Sequence, residues 1–183
     1  GMTRQVDVVQ KDVSRETIDR LTRFQDLLEK WNPVINLVGK QTIADLWNRH
    51  VLDYAQLLPI AVPSAKTWTD LGSGGGLPAI VISILAKDLR PSLHVTMLES
   101  DQRKAAFLRT VITDLGINAV ALPVRIEKAE SQQSDIVSAR ALAPLPELLA
   151  YAQRHLKPDG QALFPKGASS DAEVEQAKRL WTF

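Results

Sequence analysis

The first part of the chain carries apolar side chains at a helical period. Steps of three and four residues separate the apolar positions Ile18, Leu21, Phe24, Leu28 and Trp31. Ser14 stands at the position of an N-cap, so the pattern predicts an amphipathic helix over residues 14–31. We expect Pro33 to end this helix, because a proline disfavours the helical conformation of the residue before it.

A second helical pattern begins at Thr42, whose partner three residues on, Asp45, forms a pair like a capping box. Its apolar side comprises Ile43, Leu46, Trp47, His50, Val51, Tyr54 and Leu58. From this pattern alone, His50 is interpreted as a buried, hydrogen-bonded histidine of the core. Arg49 and Asp53 have the i,i+4 spacing of a surface ion pair.

No long linker rich in glycine, serine or proline follows these two helical patterns. A length of 183 residues suits one domain with a single core. We therefore expect residues 1–62 to be an N-terminal helical extension of residues 63–183, both within that one domain.

Beyond residue 62, short apolar runs alternate with helical patterns. The runs predict strands that end near residue 71 and that cover 93–98, 120–126, 135–139 and 162–165. The helical patterns cover 77–87, 101–115, 146–156 and a polar stretch from about residue 170. This alternation predicts an α/β fold, with a doubly wound, mostly parallel sheet, helices on both faces and a ligand at the carboxyl ends of the strands.

The first of these strands runs into a glycine loop, TWTDLGSGGGLP, that leads directly to a helix. Gly72, Gly74, Gly75 and Gly76 have no Cβ, so the backbone can adopt positive φ and approach a ligand closely. Pro78 has the φ of a first helical turn. Asp70, at the end of the strand, can accept hydrogen bonds from the loop or from a cationic amino group. The arrangement is typical of a nucleotide-type cofactor site.

The spacing of the loop distinguishes between cofactors. A dinucleotide fingerprint requires a third glycine where this chain has Leu77, and no Gly-Lys-Ser/Thr follows as in a phosphate-binding P-loop. DLGSGGG instead resembles the first motif of the S-adenosylmethionine-dependent methyltransferases. Glu99 ends the second strand, where a carboxylate can accept hydrogen bonds from the ribose of an adenosine. The alternatives are a purely structural turn and an acid that interacts with the helix beginning near Asp101.

The amino-acid composition excludes some classes of function and leaves others open. The chain has 22 basic and 21 acidic residues, so charge alone does not indicate nucleic-acid binding. It contains no cysteine and begins with no signal peptide, which favours the cytoplasm, and no apolar run has membrane length. His50, His94 and His155 lack metal-ligand spacing, so no metal is expected.

A longer series of motifs carries a more specific resemblance. In chain order it comprises Asn36-Leu37, Arg49 to Asp53, Gly72 to Pro78, Arg125-Ile126-Glu127, Ser138 to Ala141 and Lys166-Gly167. Over residues from about 24 to 167, this series resembles the bacterial 16S rRNA guanine-N7 methyltransferases, the RsmG or GidB family. The resemblance implies a class I methyltransferase fold, S-adenosylmethionine as cofactor, and 16S rRNA of the small ribosomal subunit or its precursor as substrate. We expect a monomer.

Carried over to this chain, the resemblance implies that Gly72 and Leu77 contact the cofactor and that Ile126 and Glu127 hold its adenine end. Simpler interpretations stay open. Leu77 and Ile126 also suit core positions of a helix and a strand, and Glu127 suits an ion pair with Arg125 or a neighbouring lysine.

On the substrate side, the resemblance implies roles for Asn36, His50, Arg125 and Lys166. It places Arg140 beside both cofactor and substrate, and a charge directly after an apolar strand needs a partner. Asn36 also suits a simple turn, and Lys166 a solvated strand end. N7 of guanine carries no proton, so Arg140 is expected to position the base and no general base is required.

Two other functions and one structural departure complete the sequence interpretation. The chain also suits a methyltransferase for another RNA or for a small molecule, or a noncatalytic protein that binds the cofactor. Class I methyltransferases usually finish the sheet with an antiparallel strand pair, whereas this sequence stops at Phe183. We therefore expect the last strand pair to be missing.

Overall fold

The computed structural model describes residues 14–140 and 142–165. Its first elements are helical: α1 (Arg15–Ile35), α2 (Lys40–Ala44), a π-helical segment (Leu46–Val51), α3 (Leu52–Ala55) and α4 (Leu57–Ile60). Strands and helices then alternate: β1 (Thr67–Leu71), α5 (Ala79–Leu89), β2 (His94–Leu98), α6 (Gln102–Leu115), β3 (Ala119–Leu122), β4 (Ser134–Ala139), α7 (Leu145–His155) and β5 (Leu156–Leu163).

The five strands form one parallel sheet in the order β3-β2-β1-β4-β5. Side chains alternate between the two faces of each strand. Trp68 and Val95 share a core cluster with α1, α5 and α6, whereas Leu71 and Val137 belong to a second cluster with α7. The predicted doubly wound α/β sheet with helices on both faces is therefore confirmed.

The N-terminal helices pack on the same face as α5 and α6. Leu21, Phe24 and Leu28 of α1 are fully buried in the larger cluster. Every residue from Ala79 to Ala86 of α5 is buried as well. Helix α5 is apolar all round because it lies between α1 and the sheet.

The expectation that Pro33 ends the first helix is wrong, since α1 continues to Ile35. Pro33 removes only one donor, close to the end of the helix. The last turn is closed by the N–H of Asn36, which donates to the carbonyl oxygen of Asn32 (2.8 Å). The Asn32 side chain then accepts the N–H of Leu37 (2.7 Å), so the residues around the proline satisfy this helix end.

The second helix differs more from its prediction than the first helix does. It begins at Lys40 with Gly39 as its N-cap, not at Thr42, and a π-helical segment interrupts it from Leu46. The amide of Thr42 donates to the carbonyl oxygen of Gly39 (3.0 Å), so Thr42 already lies in the first turn. The predicted capping pair of Thr42 with Asp45 is therefore wrong.

Other boundaries move by a few residues. Helix α6 has the predicted ends, with Asp101 as N-cap and Gly116 in the left-handed conformation as C-cap. Strand β5 begins at Leu156, earlier than predicted, and pairs with β4 through an irregular register. The polar helix predicted from about residue 170 and the strand pair expected to be missing lie outside the described residues. No helix within the described ranges is long and apolar enough to span a membrane.

Candidate functional site

The glycine loop lies at the carboxyl ends of β1 and β2. The backbone N–H groups of Gly72 and Ser73 both donate to the carbonyl oxygen of Leu98 (2.8 and 3.2 Å). Gly72, Gly74 and Gly76 have φ of +66°, +54° and +95°. The predicted positive φ is therefore confirmed at these three glycines and is wrong for Gly75, and β2 fixes the position of the loop.

The three glycines have different surroundings. A Cβ on Gly72 would approach Leu142 Cδ2 to 2.9 Å, and one on Gly76 would collide with Ile80. A Cβ on Gly74 would meet nothing within 4 Å. Of these three glycines, Gly74 faces open space, and a ligand can approach the backbone there.

Asp70 is the penultimate residue of β1 and is buried, with 1% of its surface exposed. The hydroxyl of Ser73 donates to its Oδ2 (2.7 Å) and that of Ser138 to its Oδ1 (2.6 Å), while Trp68 Nε1 donates to the Ser138 hydroxyl (2.7 Å). Burial raises the pKa of Asp70 to about 7, although the two hydroxyl bonds and the positive charge of Arg140 lower it. This carboxyl group changes its charge near neutral pH.

Glu99 follows β2 directly and reaches the glycine loop. Its Oε1 accepts the N–H of Gly74 (2.7 Å), and its Oε2 accepts the N–H of Asp101 (2.8 Å). Each carboxylate oxygen can accept a second hydrogen bond. Glu99 therefore connects the loop to the start of α6 and retains acceptor capacity for hydroxyl groups of a ligand.

The segment after β3 is a turn, so the strand predicted over 120–126 is too long. Strand β3 stops at Leu122, and the N–H of Val124 bonds back to the Leu122 carbonyl oxygen (2.9 Å), which takes the chain away from β2. Ile126 lies in this turn and packs against the smaller core cluster. Arg125 and Glu127 are exposed and form an ion pair (3.6 Å).

Arg140 lies directly after β4, and its charge acts on several ionisable groups of the site. Burial has the largest effect on the pKa of three of its neighbours: it raises the pKa of Asp70 to about 7 and that of Tyr54 to about 12, and it lowers the pKa of His50. The positive charge of Arg140 acts to lower all three pKa values. Tyr54 Oη lies 3.5 Å from His50 Nδ1. Residues from the N-terminal helices and from the ends of β1 and β4 therefore lie within electrostatic reach of one another.

His50 is partly exposed, so its interpretation as a buried core histidine is wrong. Burial, Arg140 and Arg49 lower the pKa of His50, and Asp45 raises it. Arg49 lies 3.6 Å from Asp45. The π-helical segment changes the angular spacing of residues 46–51 from that of an α-helix, which is why the sequence pattern misplaced His50.

The structure also shows where the predicted site residues Asn36 and Leu77 lie. Asn36 is the C-cap of α1 with φ of +60°, in agreement with the turn interpretation. The linker after it packs on the glycine loop, since a Cβ on Gly75 would approach Val38 Cγ1 to 2.8 Å. Leu77 is 2% exposed and belongs to the larger core cluster. Lys166 lies outside the described residues.

Three contributors to this site escaped the sequence interpretation. Ser138 supplies the second hydroxyl on Asp70; the sequence analysis included it in the motif Ser138 to Ala141 but assigned it no role. Tyr54 was assigned only to an apolar helix face. Leu142 packs against Gly72 from a segment after β4 that has no periodic pattern.

A family model described as GidB, rRNA small subunit methyltransferase G, matches residues 17–183. The chain belongs to this family. The predicted family and the predicted methyltransferase class are therefore confirmed. Across residues 14–140 and 142–165, no group of three or more possible metal ligands is placed to hold an ion.

Curated relatives of this GidB-family chain carry the name ribosomal RNA small subunit methyltransferase G. The relative from Ruegeria sp. (strain TM1040) is 49% identical over 172 residues, which cover 94% of this chain and 83% of the relative. The relative from Paracoccus denitrificans (strain Pd 1222) is 49% identical over 172 residues, covering 93% of this chain and 86% of the relative.

Solved structures of similar fold are more distant in sequence. A SAM-dependent methyltransferase from Aquifex aeolicus matches with a TM-score of 0.51 at 18% identity, over 61% of this chain and 62% of that one. TYW2 of P. horikoshii in complex with MeSAdo matches with a TM-score of 0.52 at 15% identity, over 64% of this chain and 43% of that one. The chain spans less than two thirds of either protein, and at these identities the likeness concerns the fold alone.

Proposed function

We propose that this chain transfers a methyl group from S-adenosylmethionine to N7 of a guanine in 16S ribosomal RNA, in the small ribosomal subunit or its precursor. The observation that carries the proposal is family membership over residues 17–183. The glycine loop, the Glu99 carboxylate and Arg140 at one edge of the sheet support it. We also propose that the protein is a monomer and that it acts in the cytoplasm.

The residues at this edge fit an adenosyl cofactor. Gly74 leaves open space at a backbone that can approach a ligand, and Glu99 can accept hydrogen bonds from ribose hydroxyl groups. Asp70 is buried under the loop, so it would act on the cofactor through its charge and through its bond to Ser73 rather than by direct contact. Gly72 and Gly76 give the loop its shape through their positive φ.

The turn after β3 would complete the cofactor site. Ile126 and Glu127 would flank the adenine, in keeping with the family resemblance. Leu77 would contribute only through its backbone, because its side chain is buried in the core. These assignments divide the cofactor between the ends of three neighbouring strands, as ligands of doubly wound sheets are usually bound.

In this reaction the protein has to position the reacting groups, and it does not have to transfer a proton. When bound, the cofactor would supply a methyl group on a cationic sulfur: the N7 lone pair would form the new bond to the methyl carbon, and the sulfur would leave as the thioether S-adenosylhomocysteine. Because N7 carries no proton, neither Asp70 nor His50 needs to act as a general base. The chain has to hold N7 in line at near-attack distance while positive charge passes to the guanine ring.

Arg140 is proposed as the positioning cation. Arginine can bind O6 and N7 of guanine in a bidentate manner, but a donor on N7 would block the lone pair that reacts. Contact with O6 or with a phosphate is therefore assigned to it. Asn36, His50, Arg125 and Lys166 are proposed to lie on the RNA side, where an unstacked base is easiest to reach.

The test is tritium transfer from labelled S-adenosylmethionine to small subunits and precursor particles, followed by mapping of N7-methylguanine in the RNA. Arg140→Ala should lower transfer at least tenfold with unchanged unfolding midpoint, because its side chain is exposed. The matched control is Arg23→Ala, whose ion pair with Asp114 lies on the outer helices (2.8 Å). Label at ribose, at an exocyclic nitrogen, on another RNA or on a small molecule would contradict the proposal, as would cofactor binding without turnover.

A further inference from the structure

The turn that carries Arg125, Ile126 and Glu127 has few bonds of its own. Inside it, the N–H groups of Lys128 and Ala129 donate to the carbonyl oxygen of Arg125 (3.1 and 2.9 Å). The side chains of Arg125 and Glu127 are exposed, and their ion pair at 3.6 Å is of the solvated kind that contributes little. The position of the turn relative to the sheet must come from neighbours outside it.

The first such neighbour is His155, the last residue of α7. It is fully buried. Its Nε2 lies 2.8 Å from the carbonyl oxygen of Ile126, and its Nδ1 accepts the N–H of Gln132 (3.3 Å). A carbonyl accepts and an amide donates, so only the neutral ring with hydrogen on Nε2 satisfies both bonds. Burial and the charge of Arg154 lower the pKa of His155, which favours that neutral ring, although the bond to Ile126 raises it.

The second neighbour is Arg154, next to His155 in the chain. Its Nε and Nη2 both donate to the carbonyl oxygen of Ala129 (3.0 and 2.6 Å). In the opposite direction, the hydroxyl of Ser131 donates to the carbonyl oxygen of Arg154 (2.6 Å). Two consecutive residues of α7 therefore hold residues 126–132 through five hydrogen bonds.

These bonds are not needed to dock α7 on the sheet. Leu148 and Ala152 of the same helix are buried in the smaller core cluster and supply apolar contact there. The hydrogen bonds of Arg154 and His155 are instead made with one turn, and one of them is made with the backbone of Ile126 itself. The apolar packing of α7 on the sheet does not by itself require that choice of partner.

We propose that His155 and Arg154 are positioning residues for the adenosine half of the cofactor site, acting by holding the turn 125–132. The inference rests on the proposed function, in which Ile126 and Glu127 flank the adenine. It assigns a role to the end of α7, which lies on the opposite face of the sheet from the N-terminal helices.

The experiment compares four variants of the full chain: His155→Leu, His155→Gln, Arg154→Met and, as matched control, Gln153→Ala on the exposed face of the same helix turn. Calorimetry measures the Kd for S-adenosylhomocysteine, and label transfer to small subunits measures kcat at saturating cofactor. Loss of the bonds should weaken binding about tenfold in His155→Leu and severalfold in Arg154→Met. The kcat at saturation should change less than twofold, and Gln153→Ala should match the parent chain.

His155→Gln supplies the rescue. A glutamine amide nitrogen can replace Nε2 as the donor to Ile126, so this variant should recover most of the affinity lost in His155→Leu. Amide hydrogen exchange at Lys128, Ala129 and Gln132 should accelerate in His155→Leu and return toward the parent rate in His155→Gln. If His155→Leu does not fold, Arg154→Met and His155→Gln decide, because the first changes an exposed residue and the second keeps a polar amide.

The outcomes separate this inference from the function it rests on. Parent-like Kd in both His155→Leu and Arg154→Met would overturn the inference, as would an equal loss in His155→Leu and His155→Gln. A chain that binds S-adenosylhomocysteine with the expected pattern, but labels no ribosomal RNA, would overturn only the proposed substrate. A parent chain that binds no adenosyl compound would overturn both.

Discussion

Gly74 and Gly116 have the same backbone conformation in different places. Their φ values are +54° and +61°, and a Cβ on either would meet nothing within 4 Å. An alanine at either position should therefore cost about 1 kcal/mol of unfolding free energy, from left-handed backbone strain alone. Urea unfolding checks this. Only Gly74→Ala should also weaken S-adenosylmethionine binding, since Gly116 caps α6 away from the loop. Equal cofactor affinity in the two variants would contradict the proposed site.

The second prediction at the scale of one residue concerns how Asp70 makes stability depend on pH. Burial raises its pKa to about 7 in the folded chain, whereas an unfolded chain releases this proton near pH 4. Between these pH values the folded state holds more protons, so the contribution of Asp70 to stability falls as pH rises. Asp70→Asn removes that loss and should be more stable relative to the parent chain at pH 8 than at pH 5. Urea unfolding at both pH values measures the difference, and parallel curves would contradict it.

At the scale of elements, Asp135 joins the starts of β1 and β4. Its Oδ2 accepts the N–H groups of Lys66 (2.8 Å) and Thr67 (3.0 Å), and its Oδ1 pairs with Lys157. Partial burial raises the pKa of Asp135, but the bonds from Lys157, Lys66 and Thr67 outweigh it and hold the pKa at about 2. The carboxylate therefore stabilises the folded sheet above about pH 4 and loses that effect as pH falls toward 2.

Asp135→Asn should lower the unfolding free energy by about 1–2 kcal/mol at pH 7, because a charged acceptor of several hydrogen bonds is lost. The deficit should shrink between pH 5 and pH 3, which urea unfolding at several pH values measures. Asp114→Asn is the matched control: its ion pair with Arg23 is exposed on both sides, so its loss should cost less than about 1 kcal/mol. A deficit for Asp135→Asn that does not change with pH would contradict the assignment.

At the scale of the whole molecule, the N-terminal helices and the sheet share one core. Phe24 of α1 is fully buried in the cluster that includes α5 and the strands. Phe24→Ala should cost about 3–5 kcal/mol and lower the stability of β1 and α1 together in one transition. Hydrogen exchange at β1 amides and far-ultraviolet circular dichroism check this. The control Val34→Ala, at a 59% exposed position, should stay within about 0.5 kcal/mol of the parent chain. Separate transitions for α1 and the sheet would contradict the single domain.

Local features were predicted well because their causes are local. The caps of α6, Asp101 and Gly116, act over a few residues, and the helix between them was predicted from the sequence as 101–115. The glycine loop after Asp70 was predicted for the same reason. Where two local signals competed, as at Pro33, the prediction failed, because the side chain of Asn32 satisfied the helix end beyond the proline.

The sequence by itself determined the α/β class, the glycine loop and the family, since periodicity, caps and motifs are properties of neighbouring residues. Only the tertiary structure decided that His50, Tyr54, Asp70 and Arg140 act on one another's charge. Their positions depend on a π-helical segment and on the register of β1 with β4, in which Asp70 lies opposite Ser138. Such contacts join residues up to about ninety positions apart, and no short-range pattern encodes the strand order that brings them together.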